Sequence, residues 1–180
     1  MTAHTHGPTA DVSVRPAVAE DADHLGRIQV ESWRARHEGR LPADALAQLD
    51  QAQFAAAWRA AITDPPSPKH RVLTATAGPH VVGFAALAPG MEGDPTGEVV
   101  ELAVDTNHLR EGHGSRLLAA CTDVLIGSGA AQARIWLVEG DEVLEAFLTQ
   151  AGFGPIGVRR VLQVGGVEVN EHAWATQLQP

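Results

Sequence analysis

The chain has no tyrosine, one cysteine (Cys121) and one lysine (Lys69). A single cysteine excludes an internal disulfide and a cysteine-rich zinc site. Cys121 falls on the apolar stripe of a predicted helix, where a buried, inert thiol is expected. Long apolar runs are also missing: no stretch approaches the roughly 18 residues that a membrane helix needs, so the chain reads as soluble. The N-terminal "MTAHTHGPTAD" lacks both the basic and the apolar region of a signal peptide, which makes the cytoplasm the expected location. Positive charge is scarce. Thirteen lysines and arginines face 22 acidic residues, for a net charge of −9, and that field repels phosphate backbones and anionic lipid. Nucleic acid and membrane are therefore not expected as partners, whereas a cationic substrate such as an amine is favoured.

What is present suits one globular domain. The 180 residues are 44% hydrophobic and 19% charged, enough for a single core. Residues 1–11 carry Thr, His, Gly and Pro without periodicity and read as a disordered tail, leaving residues 12–180 as the domain. "VSVRPA" predicts a strand and "EDADHLGRIQVESW" a helix. Apolar residues Phe54, Ala57, Trp58, Ala61 and Ile62 recur at helical spacing, predicting one helix over about 43–63 that "DPPSPKH" ends. "RVLTATA" and "VVGFAALA" predict a hairpin around Gly78-Pro79-His80, and "EVVELAVD" a further strand. A helix from Gly112, the strand "ARIWLV", a short helix closed by Gly152 and two strands around Gly165-Gly166 complete the order. The expected architecture is α/β (α+β): a mixed, mostly antiparallel central sheet of about seven strands flanked by about four helices.

The stretch "VDTNHLREGHGSRLL" carries the chemistry. A strand that runs through a glycine-bearing loop into a helix gathers free backbone N–H groups and the positive helix end at one point. Gly112 and Gly114 lack Cβ atoms, so a phosphate, and most naturally a pyrophosphate, can approach residues 109–114 closely. A Rossmann fingerprint would need glycine at position 117, which is Leu117, and a P-loop would need Gly-Lys-Ser/Thr; neither is present. The histidines form no metal-ligand pattern in sequence, so no metal is expected.

This stretch resembles the acetyl-CoA-binding motif of the GNAT family of N-acetyltransferases, V-x-P-x-x-R-G-x-G-x-G followed by a leucine pair, through Val104, Gly112, Gly114, Leu117 and Leu118. "AEDADHLGRIQVESWRARHEGRLP" resembles the first helix and acceptor loop of bacterial members, and "DEVLEAFLTQAGFGPIGVRRVL" their late helix and following strand. The resemblance implies the family's fold, acetyl-CoA as co-substrate, and acetyl transfer to an amine of a small molecule or peptide. By that resemblance the cofactor is bound by Leu102, Ala103, Val104, Leu109, Arg110, Glu111, Gly112, His113, Gly114, Ser115, Asp141 and Phe147. The acceptor is bound by Trp33, His37 and Glu38, and the catalytic base is Glu98 or Glu101. Standing three apart on a strand, those two glutamates are expected on opposite faces. A backbone N–H near Leu102 or Ala103 would hold the thioester carbonyl where the family's strands splay. A homodimer is common in the family, and the terminal strands offer an edge for one.

The departures bear on function. Thr106 replaces the family's proline, and Leu109-Arg110-Glu111 its Arg-Gly-Arg/Lys. Asp141 replaces asparagine, and Leu148 the tyrosine that protonates the leaving thiolate; water, Ser115 or Thr149 would have to assist instead. An acyl-CoA-binding module without catalysis, with a regulatory or interaction role, is the alternative reading, and a structural domain that binds no CoA is a third.

Overall fold

The computed structural model describes residues 12–164 and 166–179. The tail expected over 1–11, and Gly165 of the last turn, lie outside them. Seven strands form one sheet in the order β1-β2-β3-β4-β5-β7-β6. They are β1 (Val12–Pro16), β2 (Arg71–Ala77), β3 (His80–Ala88), β4 (Thr96–Val104), β5 (Gln132–Val138), β6 (Gly154–Val164) and β7 (Val167–Gln177). Every neighbouring pair is antiparallel except β4 and β5, whose strand-helix-strand crossover makes them parallel.

Among the described residues five α-helices cover the sheet, against the four or so expected: α1 (Ala22–His37), α2 (Ala43–Ala47), α3 (Gln51–Thr63), α4 (His113–Gly127) and α5 (Glu142–Gln150). The extra helix arises at Asp50. Its side chain accepts from the Ala52 and Gln53 N–H groups at 2.7 and 3.2 Å, an N-cap that starts α3 afresh and divides the predicted 43–63 helix.

On one face, Leu25 and Ile28 of α1 pack with Trp58 and Ile62 of α3 over Val72, Phe84 and Ala103. α1 and α3 nearly touch at Gly26, where a Cβ would stand 2.7 Å from Ala55 N and Gln51 O. On the other face, α4 and α5 bury Leu117, Cys121, Leu125 and Leu148 against Leu87, Val99, Ile135 and Leu137. Burial pushes the Cys121 thiol up to about 12, so it is an inert core residue as its stripe position requires.

Two irregularities shape the sheet. Leu87 pairs with Val99 and Ala86 with Glu101, so Val100 is an extra residue, a β-bulge, in β4. Beyond it β4 and β5 separate: their pairing runs from Thr96↔Gln132 to Val99↔Ile135 and stops, although β4 continues to Val104 and β5 to Val138. A fork opens in mid-sheet. The bulge also corrects the expected placement of the two glutamates, since Glu98 pairs with Ala88 and Glu101 with Ala86. These partners are two apart on β3, so Glu98 and Glu101 share a face.

Candidate active site

The loop between β4 and α4 is held from both ends. Asp105 caps a 3₁₀ turn (Thr106–His108) by accepting from Asn107 N at 2.9 Å, and pairs with Arg27 of α1 at 2.7 Å. Burial works to raise the Asp105 carboxyl, but the Asn107 and Arg27 hydrogen bonds outweigh it and hold its pKa below the ordinary value. After extended Leu109, Arg110 is left-handed (φ 65°) and so is Gly112 (φ 83°), and α4 begins at His113. Arg110 stands where the resembling motif has glycine. The backbone keeps the glycine-type conformation that a side chain adopts only at a cost.

Among the described residues, the N–H groups of 110–115 meet no backbone or side-chain acceptor, so they converge unpaired at the positive end of a 15-residue helix. Gly114 lies between Val104 and Phe147, whose atoms would stand 3.7 Å from a Cβ there. Next to it a cleft of about 460 Å³ runs between α4 and α5, lined by Ser115, Leu118, Phe147, Gln150, Phe153 and Thr176. Phosphate-sized anions suit the loop, and an extended apolar arm suits the cleft.

The fork gathers the second group. Glu101 is buried at 9% exposure. Its Oε2 accepts from Gln29 Nε2 and Trp33 Nε1, both at 3.1 Å, and its Oε1 from the Leu102 N–H at 3.1 Å. Gln29 in turn accepts from Trp58 Nε1 at 2.6 Å. No arginine or lysine pairs with Glu101 among the described residues, which leaves a carboxylate solvated by N–H groups alone.

Glu98 differs. It accepts two bonds from Arg134, at 3.0 and 3.2 Å, with Arg160 3.8 Å away. Arg160 also pairs with Glu171 at 2.6 Å, and both arginines stack on Trp136. Glu98 is therefore neutralised inside a cation–carboxylate network.

Across the fork, Arg36 reaches from α1 to the Leu102 carbonyl at 3.4 Å and to Asp141 at 3.3 Å. The Arg36–Asp141 contact is close enough for an ion pair but misaligned as a hydrogen bond. Asp141 also caps α5 through Leu144 N at 3.2 Å.

Residues 28–153 match the profile of the acetyltransferase (GNAT) family. The chain belongs to that family. It is 27% identical over 130 residues to the uncharacterized N-acetyltransferase YuaI of Bacillus subtilis (strain 168), covering 71% of this chain and 72% of that protein. It is 31% identical over 142 residues to the mycothiol acetyltransferase of Rhodococcus jostii (strain RHA1), covering 75% of this chain and 44% of that longer protein. The fold matches the PaiA N-acetyltransferase of Thermoplasma acidophilum, solved in complex with coenzyme A, with a TM-score of 0.69 and 16% identity over 93% of this chain and 99% of that one.

As a GNAT chain, the protein assembles its expected residues into two groups. Val104, Leu109–Ser115 and Phe147 surround the loop and cleft, while Trp33, Glu101, Leu102, Ala103 and Asp141 surround the fork. Three others sit apart. Glu98 lies toward the paired end of the fork, inside its arginine network. Glu38 is exposed just past α1. His37 is the last residue of α1 and wholly buried, with its ring 4.8 Å from Trp33 edge-on and no partner for either nitrogen. Burial, then the neighbouring Arg36 charge, lower its pKa to about 4, so it is neutral at physiological pH.

Sequence reading missed Gln29 and the Arg134–Trp136–Arg160 stack. Strict alternation in "ARIWLV" does place Arg134 and Trp136 on one face, and that signal was available. Leu148 is fully buried in the core, so the tyrosine position of the family supplies no hydroxyl here. Thr149 donates to the Glu145 carbonyl at 2.8 Å. Among the described residues, no helix is long and apolar enough to cross a membrane.

Proposed function

We propose that this GNAT chain transfers the acetyl group of acetyl-CoA to a primary amine by direct attack, with Glu101 as the base. The observation that carries the reading is the buried Glu101 carboxylate, held at the open end of the fork with no cation to neutralise it. An acceptor ammonium is attracted to that charge. Its nitrogen gives a proton to Glu101, directly or through one water, and the freed lone pair attacks the thioester carbonyl. The developing oxyanion takes the Leu102 N–H, which Glu101 holds until the acceptor displaces it. The attacking nitrogen loses its second proton to solvent as the C–S bond breaks, which leaves a neutral amide. The CoA thiolate is a tolerable leaving group, since a thiol of this kind has a pKa near 8.5, and it is protonated by solvent.

The loop N–H groups of 110–115 would hold the pyrophosphate, and Val104, Phe147 and Ser115 the pantetheine arm. Trp33 would line the acceptor side. Glu98 would tune the acceptor surface through its arginines rather than remove the proton.

A second reading, an acyl-CoA-binding module without turnover, is favoured by Leu148 and by Arg36 bridging the fork. Thiol release from acetyl-CoA across a panel of small-molecule and peptide amines tests both. Turnover in the native chain that drops at least about 100-fold in Glu101→Gln supports the first reading. CoA binding with no turnover on any amine supports the second. Undiminished turnover in Glu101→Gln removes Glu101 as base.

A further inference from the structure

We propose that His108, Glu111 and His113 form a site for one divalent transition-metal ion of the zinc class, seated on the loop that opens α4. Steps of three and two along the chain make no familiar ligand motif, but the fold closes them together. Glu111 Oε2 lies 3.0 Å from His108 Nδ1 and 3.2 Å from His113 Nε2. One ligand atom from each residue falls within 4.8 Å of the others. Around a tetrahedral ion with bonds of about 2.0–2.1 Å, neighbouring ligand atoms stand about 3.3 Å apart. Two of the three edges already have that length, and the third closes with a turn of the half-exposed His108 side chain. Two imidazoles and a carboxylate suit zinc, cobalt or nickel, and three protein ligands leave a further position open.

The local backbone holds this set. The 3₁₀ turn carrying His108 is capped by Asp105 and tied to α1 through Arg27. Left-handed Arg110 turns the chain so that Glu111 sits between the two histidines. Arg116 donates to the Glu111 carbonyl at 3.1 Å rather than to its carboxylate, which stays available. His113 is buried, and Nε2, the ring nitrogen that faces Glu111, is the atom that offers a lone pair to an ion while Nδ1 carries the ring proton.

Such an ion also answers an electrostatic problem. Unpaired N–H groups make the loop an anion site, yet the Glu111 carboxylate stands on it and repels anions. A divalent ion held by one carboxylate and two imidazoles offsets the Glu111 charge and offers its open position to a phosphate oxygen. That last consequence rests on the acetyl-CoA reading above, whereas metal binding does not.

The test uses the full chain after treatment with a chelator. Cobalt(II) is titrated in while its visible d–d absorption is followed, and zinc(II) is then added to displace it. The expected result is one equivalent per chain, with His108→Ala and Glu111→Ala each weakening zinc affinity about tenfold or more. Both side chains are solvent-facing, and unchanged metal-free melting temperatures verify that the variants fold. Absence of a cobalt spectrum in the native chain overturns the site. So does binding undiminished in His108→Ala, which assigns the ion to other residues such as His4 or His6.

In a second arm, one equivalent of zinc(II) is expected to tighten CoA binding about tenfold in the native chain and not in His108→Ala. Unchanged CoA affinity in the metal-loaded chain overturns the phosphate link. Metal binding with no CoA binding under any condition leaves the site standing and overturns the acetyl-CoA reading.

Discussion

His37 makes the stability of this fold depend on pH in a window of its own. The ring is wholly buried at the end of α1, both nitrogens are unpartnered, and its pKa falls from 6.5 to about 4. In the unfolded chain the same imidazole takes up a proton at its ordinary pKa. Below pH 6.5 unfolding therefore binds a proton that the folded state refuses, and stability falls as pH drops from 6.5 to 4 before levelling. At about 1.4 kcal/mol per pKa unit, the full loss is about 3 kcal/mol.

His37→Phe removes the titration and keeps a ring against Trp33. Urea denaturation at half-unit steps from pH 7.5 to 3.5 is the assay, with the native chain and the variant side by side. Carboxylates with lowered pKa values, among them Asp21 and Asp105, lose their contribution below about pH 4 and do so equally in both proteins. At pH 7 the variant is expected to be at least as stable as the native chain, since about 1 kcal/mol or more of unpartnered polar burial is removed. The gap should then widen by about 3 kcal/mol as pH falls to 4. Parallel curves across that window would refute the reasoning, because they would mean that His37 protonates as readily folded as unfolded.

Other outcomes follow from single contacts. Arg110→Gly is expected to raise stability by about 1 kcal/mol in chemical denaturation, because glycine occupies the left-handed conformation without the Cβ penalty. Glu98→Gln is expected to keep turnover within about tenfold of native while Glu101→Gln loses about 100-fold or more; steady-state kinetics on any active amine compares them. Leu148→Ala opens a void in the core cluster that the fully buried Leu148 shares with Leu117, Leu137 and Phe153 and is expected to cost about 3 kcal/mol, read from the denaturation midpoint. Gly26→Ala, which would push a methyl to 2.7 Å from the α3 backbone, is expected to destabilise by about 1–3 kcal/mol and to separate α1 from α3.

Strand alternation and helical stripes were strong enough in this sequence to predict the succession of strands and helices along the chain and the helix-bearing loop, because each depends on neighbours within a few residues. Asp50 was not legible as a cap. It sits in a run whose apolar stripe continues on both sides, and a polar residue there reads equally as a solvated helix position. The Val100 bulge was hidden for a related reason: "EVVELAVD" reads as one uninterrupted strand, and only pairing with β3 reveals the extra residue. From that single insertion come both the shared face of Glu98 and Glu101 and the fork beside them. Gln29 escaped notice because its partner, Glu101, lies in an element far along the chain. Spacing within α1 carries no trace of such contacts.

The short pairing of β4 with β5 has a mechanical consequence. Four residue pairs, Thr96↔Gln132 to Val99↔Ile135, are all the ladder that joins the block β1-β2-β3-β4 to the block β5-β7-β6, whereas each block is laced internally along most of its strands. The sheet is thus two stiff plates riveted at one edge. Amide exchange should sort the strands accordingly, with slow protection inside each plate, faster exchange along their common seam, and local opening that pivots about Val99 and Ile135.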